Sequence, residues 1–329
     1  MLVLVAAGVC ALVYFVYDAV LATNASSSDH ILIIPPNSSA SVITDSLHKS
    51  GTIRNVLEFR IALKILGKEN ALLPGIYEFK SHISNMDIIN ALCHSNSAHH
   101  IYVTFPEGLT SFEIAHIAQE HLHTDSTRFV ALTRDSAFIR SLGIKAPSLE
   151  GYLFPETYEF DLPVTERSVL ARMVFAMKHE LSDSIQRRCV VLGISIEQML
   201  AIASIVEAEA ATESERPRIA GVYWNRLHSG MRLEADPTVQ YAIGEKRHLY
   251  YKDLAIESPY NTYLHVGLPP TPINNPGSAS VSAALYPEKN SFLYFVARGD
   301  SSRQHRFSEN LQGQNIAVGI YRQNRNKKK

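Results

Sequence analysis

ISIEQMLAIASIVEAE, residues 194–209, opens with a capping box: Ser195 stands at the N-cap and Gln198 at N3, so each side chain can satisfy the other's backbone donor. Behind it, Ile196, Met199, Leu200, Ala203 and Val206 leave little polar circumference, which predicts a buried helix. Glu207 follows Ala203 at i−4 and Leu200 at i−7, so a carboxylate continues the apolar face. Lost solvation disfavours the charged form of a carboxyl. A glutamate kept protonated in this way near neutral pH can serve as a general acid. The competing reading makes Glu207 and Glu209 a solvated, fraying helix end. Taken alone the stretch favours that reading, and the rest of the chain has to decide.

The 329 residues carry a formal net charge of −1 and are 46% hydrophobic, enough for two soluble domains. Such a balance offers no basic stripe to release counterions from phosphates, so nucleic acid is excluded as a partner. The three cysteines, Cys10, Cys93 and Cys189, match no metal knuckle. Cys10 lies in an apolar leader, which leaves Cys93 and Cys189 for at most one disulfide, with buried free thiols the expectation. HExxH, GxSxG and a phosphate-binding glycine loop are absent. The fourteen histidines are scattered, so no metal and no cofactor is expected.

Residues 1–17 form an uncharged apolar run, and residues 19–22 extend it past Asp18 to about the length that spans a bilayer. The run outlasts a signal-peptide core, so residues 1–23 read as a transmembrane anchor. No Lys or Arg precedes it and the first basic residue is Lys49, so charge does not give its orientation. Residues 24–30 are a polar linker. Three strand–turn–helix units then begin at Ile31, Gly75 and Ile101, with helix caps at Ser39, Ser84 and Thr110 and an isoleucine four residues after each. Asp87 and Glu113 occupy N3 in the last two, and residues 55–66 form a further helix between the first two units. The pattern is that of small α+β modules. The first two units loosely resemble a LysM-type glycan-binding fold, with a generic spacer as the alternative.

Residues 124–185 read as helices and loops, broken by LEGYLFPETYEF at 149–160. Its aromatics beside Glu156 suit a sugar site, but a buried strand with aromatic core residues is the stronger reading. Beyond Glu209, Ser214 is expected to cap a helix that carries Asn225 and Arg226 and stops at Gly230. Residues 231–244 bring Glu234, Asp236, Thr238 and Gln240, with Pro237 setting a turn or helix start. Residues 258–278 hold five prolines and two glycines beside Tyr260, Asn261, Thr262 and Tyr263, a stiff loop with polar tips. A helix at 279–286 and a strand at 292–297 follow, and the basic tail is expected to be disordered.

Together ASIVEAEA (203–210), NRL (225–227), GMRLEADPTVQYAIG (230–244), PYNTY (259–263), GLPPTPI (267–273), NPG (275–277), FLYFVARG (292–299) and GYLFPETY (151–158) form a collinear set. The set resembles the YceG-like endolytic murein transglycosylase family (MltG). The resemblance implies an α+β chain with an N-terminal transmembrane anchor at 1–23, a small LysM-like α+β module at 31–100, a mixed α+β catalytic domain at 101–320 and a basic tail at 321–329. It puts the protein in the cytoplasmic membrane by a single pass, with the catalytic domain on the periplasmic or extracytoplasmic side. The partners implied are peptidoglycan glycan strands, that membrane and peptidoglycan synthases.

The family's catalytic glutamate maps onto Glu207, with Glu209 in the same motif. Ala210 and Ala211 depart from the pattern, in which Thr or Ser often follows. The implied reaction cleaves the MurNAc-β-1,4-GlcNAc bond within nascent strands, leaves a 1,6-anhydroMurNAc end and so terminates elongation. One carboxyl suffices for it: Glu207 protonates the leaving oxygen, then takes the proton of the sugar's own C6 hydroxyl as that hydroxyl attacks C1. A muramidase-type hydrolase would need a second carboxylate roughly 5 to 9.5 Å away, for which Glu156, Glu209 and Asp236 are candidates. A non-catalytic glycan-binding scaffold is the other alternative. Glu156, Asn225, Arg226, Asp236, Gln240, Tyr260, Asn261 and Tyr263 are the expected substrate-positioning set, each with a competing role in holding loops.

Overall fold

The computed structural model describes residues 2–24, 30–35, 38–93, 100–161 and 164–326, with residues 2–6, 9, 11–13, 30, 33, 76 and 100 described by backbone alone. The chain divides into two compact units, Met1–Ile101 with Glu159–Arg172, and Tyr102–Tyr158 with Met173–Lys329. The architecture is mixed α+β.

The first unit starts with α1 (Leu2–Leu21) and continues through β1 (His30–Ile34), α2 (Ala40–Lys49), α3 (Val56–Ile65), β2 (Gly75–Phe79) and α4 (Asn85–Cys93). β1 and β2 pair antiparallel, with Leu32 opposite Tyr77 and Ile34 opposite Gly75. Strand alternation turns Leu32 and Ile34 onto a core built with Ile43, Leu47, Phe59, Leu63, Ile88 and Leu92. Caps set the helix starts, Ser39 and Ser84 as expected and Asn55 in addition. Ser39 accepts the Val42 N–H, Asn55 accepts those of Leu57 and Glu58, and Ser84 Oγ accepts that of Asp87 at 3.1 Å. The end of α1 belongs to this core: Val20 is buried in it and Asn85 Nδ2 donates to the Ala19 carbonyl at 2.8 Å. Asn24, expected in a linker, is buried and donates to Asn85 Oδ1 at 2.9 Å. Residues 25–29 of that linker lie outside the described residues. Among the described residues no single helix is long and apolar enough to cross a membrane, and most side chains in the first half of α1 fall outside them.

β3 (His100–Thr104) pairs with a later strand, β4, and the division between the units falls within both. In the second unit α5 (Ser111–Leu122), α6 (Ser126–Leu132) and α7 (Ser136–Ser141) lead to β4 (Thr157–Asp161). Only the end of the stretch at 149–160 is strand, and the rest is a turn; Tyr152, Tyr158 and Phe160 are buried and Glu156 is exposed. Then come α8 (Glu166–Glu180), α9 (Asp183–Leu192), α10 (Ile196–Glu209), α11 (Arg216–His228), α12 (Asp236–Ile243), α13 (Ser278–Leu285), β5 (Tyr294–Ala297), β6 (His305–Ser308) and α14 (Leu311–Asn326). α10 carries both halves of its capping box, and every residue from Met199 to Val206 is buried. It packs on α11 and α13, so a helix apolar around most of its circumference is the centre of this unit.

Two expectations need correction. Ser214 does not cap the helix that follows; it lies in a short 3₁₀ turn, Glu213–Glu215, and α11 starts at Arg216. Pro217 decides the start, because its fixed φ and missing N–H suit a first helical turn. The tail is helical as far as Asn326 because α14 is held by polar contacts to β5 and the turn after it. Gln314 Nε2 donates to the Phe295 carbonyl at 3.1 Å and Asn324 Nδ2 to that of Arg298 at 2.8 Å. Residues 327–329 lie outside the described residues. Cys93 and Cys189 are free thiols, the first half-buried and the second buried, and Cys10 is exposed.

Candidate active site

Glu207 ends the apolar face of α10, and its side chain is only 6% exposed. Apolar burial is not its whole environment. Its Oε1 accepts a bond from Arg216 Nη2 at 2.8 Å, and its Oε2 accepts the Gly277 N–H at 3.2 Å. Arg216 opens α11 and is fixed by donating from Nε to Ser280 Oγ at 2.9 Å. Gly277 is the N-cap of α13, so the carboxylate sits at a helix N-terminus, where the helix dipole favours negative charge. Gly108 closes another side: a Cβ there would lie 3.4 Å from Glu207 Cγ.

A second carboxylate shares the guanidinium. Glu107 Oε2 is 3.6 Å from Arg216 Nη2, and its side chain is 47% exposed. Its carboxyl titrates above the usual range, first because of desolvation and then because of the charge on Glu207, with Arg216 opposing both. Gly277 must be a glycine for this packing, since a Cβ there would fall 1.9 Å from Glu107 Oε1.

Asn275 fixes the turn that carries Glu107. The Gly108 N–H donates to its carbonyl at 2.9 Å, and its own N–H and Nδ2 donate to the Leu109 carbonyl at 2.9 and 3.0 Å. Its Oδ1 accepts the N–H groups of Gly151 and Leu153, both at 2.9 Å. Its Nδ2 also donates to Glu150 Oε1 at 2.9 Å. Glu150 is 2% exposed and further accepts from the Ser111 N–H and Oγ at 2.9 and 2.8 Å and from the Tyr241 hydroxyl at 3.2 Å. Burial pushes this carboxyl up to about 7 against those four donors. α10 holds the same loop, since Ser204 Oγ accepts the Ile273 N–H at 3.1 Å and the Ser204 carbonyl accepts from Asn274 Nδ2 at 2.8 Å.

Glu209, two residues on and so on another side of the helix end, belongs to a different cluster. It accepts from the Tyr223 hydroxyl at 3.2 Å. Burial, then the charge of Asp236, pushes it up to about 7, and the tyrosine bond opposes them. Asp236 in turn accepts from the Tyr263 hydroxyl at 2.7 Å. The structure thus brings Asp236 and Tyr263 together near Glu209. Tyr260 shares a hydrogen bond with Thr271 Oγ1 at 2.9 Å, and Glu156 sits just before β4 with an exposed side chain.

Four expected residues spend most of their donors on main chain, with Arg226 also paired to Glu234 Oε2 at 3.0 Å. Asn225 Nδ2 binds the carbonyls of Asn290 and Phe292, at 3.0 and 2.9 Å. Arg226 binds those of Leu293 and Leu233, at 2.6 and 2.9 Å. Gln240 Nε2 binds that of Arg247 at 2.7 Å, and Asn261 Nδ2 those of Leu254 and Ile256, at 3.0 and 2.9 Å. A cavity of about 260 Å³ lined by Trp224, Asn225, His228 and Asn290 includes none of Glu207, Arg216 and Glu107. Among the described residues no group of three or more His, Cys, Asp or Glu could hold a metal ion.

Sequence reasoning missed Glu107, Arg216 and Glu150. The signals were present but short: Pro-Glu-Gly at 106–108 before a Thr cap, and Arg-Pro at 216–217 opening a helix just after the Glu207 motif.

The YceG-like family model matches residues 32–319. An endolytic murein transglycosylase of Bacillus subtilis (strain 168) is 33% identical over 311 residues, which cover 90% of this chain and 85% of that protein. A protein of the same name from Streptococcus pneumoniae serotype 2 (strain D39 / NCTC 7466) is 30% identical over 320 residues, covering 86% of this chain and 57% of its own length. The 2.6 Å crystal structure of a YceG-like protein from Listeria monocytogenes superposes with a TM-score of 0.62 at 33% identity, covering 88% of this chain and 99% of that one.

Proposed function

The chain belongs to the YceG-like family, and from that premise we propose that it is an endolytic murein transglycosylase with Glu207 as general acid and then base. The observation that carries the reading is one sequestered carboxylate held by Arg216 and the Gly277 N–H. Protonated Glu207 gives its proton to the glycosidic oxygen as the C1–O bond breaks. The C6 hydroxyl of the same muramoyl residue then bonds to C1, and its proton passes to Glu207, which restores the acid. The nucleophile is part of the substrate, so its effective concentration is high and no group is needed to activate water.

Asp236, Tyr260, Tyr263 and Glu156 are candidate glycan contacts in this scheme. Asn225, Arg226, Gln240 and Asn261 act through the loops they hold. Glu107 supports a second reading, a two-carboxylate hydrolase of the same bond. Mass spectrometry of products from uncross-linked glycan strands, using the full chain in detergent beside Glu207→Gln, separates them. Anhydro ends that vanish in the variant are expected. Reducing ends favour the hydrolase, and identical results from both proteins sink the role of Glu207.

The reading extends to the membrane. At 1.5 Å per residue the part of α1 before Val16, where the helix begins to pack on the module core, reaches about 20 Å, most of the thickness of a hydrocarbon core. Tyr14, Phe15 and Tyr17 are exposed near its end, where interfacial aromatics are common. α1 then acts as a single-pass anchor that leaves residues 101–320, the catalytic domain, outside the cytoplasmic membrane and near the synthases that make its substrate. The β1–α2–α3–β2 order with one antiparallel pair supports a LysM-like glycan-binding role for residues 31–100.

A further inference from the structure

An acid that is also one half of an ion pair raises a question of charge. To give a proton Glu207 must first carry one, and a neutral carboxyl no longer balances Arg216. The Arg216 side chain is 10% exposed, and a nearly buried guanidinium left without an anion is costly. The nitrogen that bonds Glu207 at 2.8 Å has a second carboxylate oxygen, Glu107 Oε2, at 3.6 Å. One guanidinium and two carboxylates are neutral together when they hold one proton. That proton can rest on Glu207 provided Arg216 has Glu107 to turn to.

The approach of Glu107 is built into the backbone. Gly277 lacks the Cβ that would displace it, and the next residue, Gly108, lies against Glu207 Cγ. The charged groups around Glu107 are Glu207 from α10, Arg216 from α11 and Glu213 from the turn before α11. α13 contributes the Gly277 backbone. Lys246 Nζ donates to the Gly108 carbonyl at 3.1 Å and to Glu113 at 2.9 Å.

We propose that Glu107 is a positioning residue for the reaction: it takes Arg216 while Glu207 is protonated and returns it once Glu207 has given its proton away. This rests on the reading of Glu207 as the acid. No proton passes to Glu107. The proton lost from Glu207 to the leaving oxygen is replaced by the C6 hydroxyl proton, while Arg216 shifts between the two carboxylates.

The test is the pH dependence of glycan cleavage by the full chain with Glu107→Gln and Glu107→Asp, beside wild type and Glu207→Gln. In Glu107→Gln, Arg216 stays on Glu207 and opposes its protonation. The basic limb of kcat is then expected to move down by about one pH unit or more, roughly a tenfold loss on that limb, with KM within about twofold. Glu107→Asp should restore most of the limb, and it serves as the test variant if the glutamine protein does not fold. A limb that stays in place, or a loss uniform across pH, overturns the proposal while leaving the acid assignment standing. Cleavage that survives in Glu207→Gln overturns both.

Discussion

Glu150 is the residue whose environment makes the clearest demand on pH. Four donors converge on it inside the protein, yet burial still pushes it from 4.5 up to about 7. Between those values the folded state holds a proton that the unfolded state has lost. Stability therefore falls as pH rises from about 4.5 to about 7 and then levels off, by on the order of 3 kcal/mol for this group. Glu209, also near 7, falls in the same window. Glu150→Gln is expected to imitate the protonated carboxyl: about 1–2 kcal/mol less stable than wild type at pH 5, with the difference shrinking towards pH 8. Denaturant melts at the two pH values measure this, and parallel losses in both proteins would contradict it. None of this was readable beforehand, because Glu150 stands in a Leu-Glu-Gly turn whose donors come from residues 111, 241 and 275. The burial of Glu207 was one of two readings of its own helix, which taken alone favoured a solvated end, and the family resemblance singled the residue out. Its partner Arg216 was not readable, because pairing across a helix boundary leaves no periodic mark.

Elements with local causes were legible. Ser39, Ser84, Thr110 and Ser195 each cap the helix expected of them, since a cap is decided within four residues. Helix α14 was not legible, because polar side chains reaching β5 and the turn after it hold it, and its apolar stripe is thin. The loop at 267–277 depends on two glycines in different ways, and two substitutions separate them. Gly151 has φ +85°, and a Cβ there would lie 2.4 Å from Pro272 Cγ. Gly151→Ala should destabilise the second unit by about 2 kcal/mol or more, from strain and overlap together. Gly277 has φ −81°, which suits any residue, and the atoms nearest its Cβ would be Oε1, Cδ and Cγ of the flexible Glu107 side chain. Gly277→Ala should therefore melt close to wild type while reproducing the pH profile of Glu107→Gln. Normal activity in Gly277→Ala would mean that Glu107 can leave Arg216 without consequence.

At the scale of the whole chain, the α+β character could be read from residue 31 onward and the order of motifs from residue 151, because collinear short motifs survive without knowledge of contacts. The return of Glu159–Arg172 to the first unit could not be read, since pairing across residues 102–158 leaves no sign in a single sequence. The end of α1 carries a similar hidden dependence. Composition separates an apolar helix from a folded module at about residue 23, but the structure draws the line earlier. Val16 and Val20 pack on the module core, Asn85 donates to the Ala19 carbonyl, and Asp18 pairs with Arg54. A chain starting at residue 24 loses the burial of Val20 and leaves the Asn85 amide short of a partner in a closed site. A chain starting at residue 16 keeps both. The shorter chain is expected to be less stable in its first unit by about 2–4 kcal/mol, read as faster hydrogen exchange at the β1 and β2 amides, with exchange in α10 unchanged. Equal protection of β1 and β2 in the two chains would show that the module ends where its composition changes, and that the last turn of α1 rests on it without supporting it.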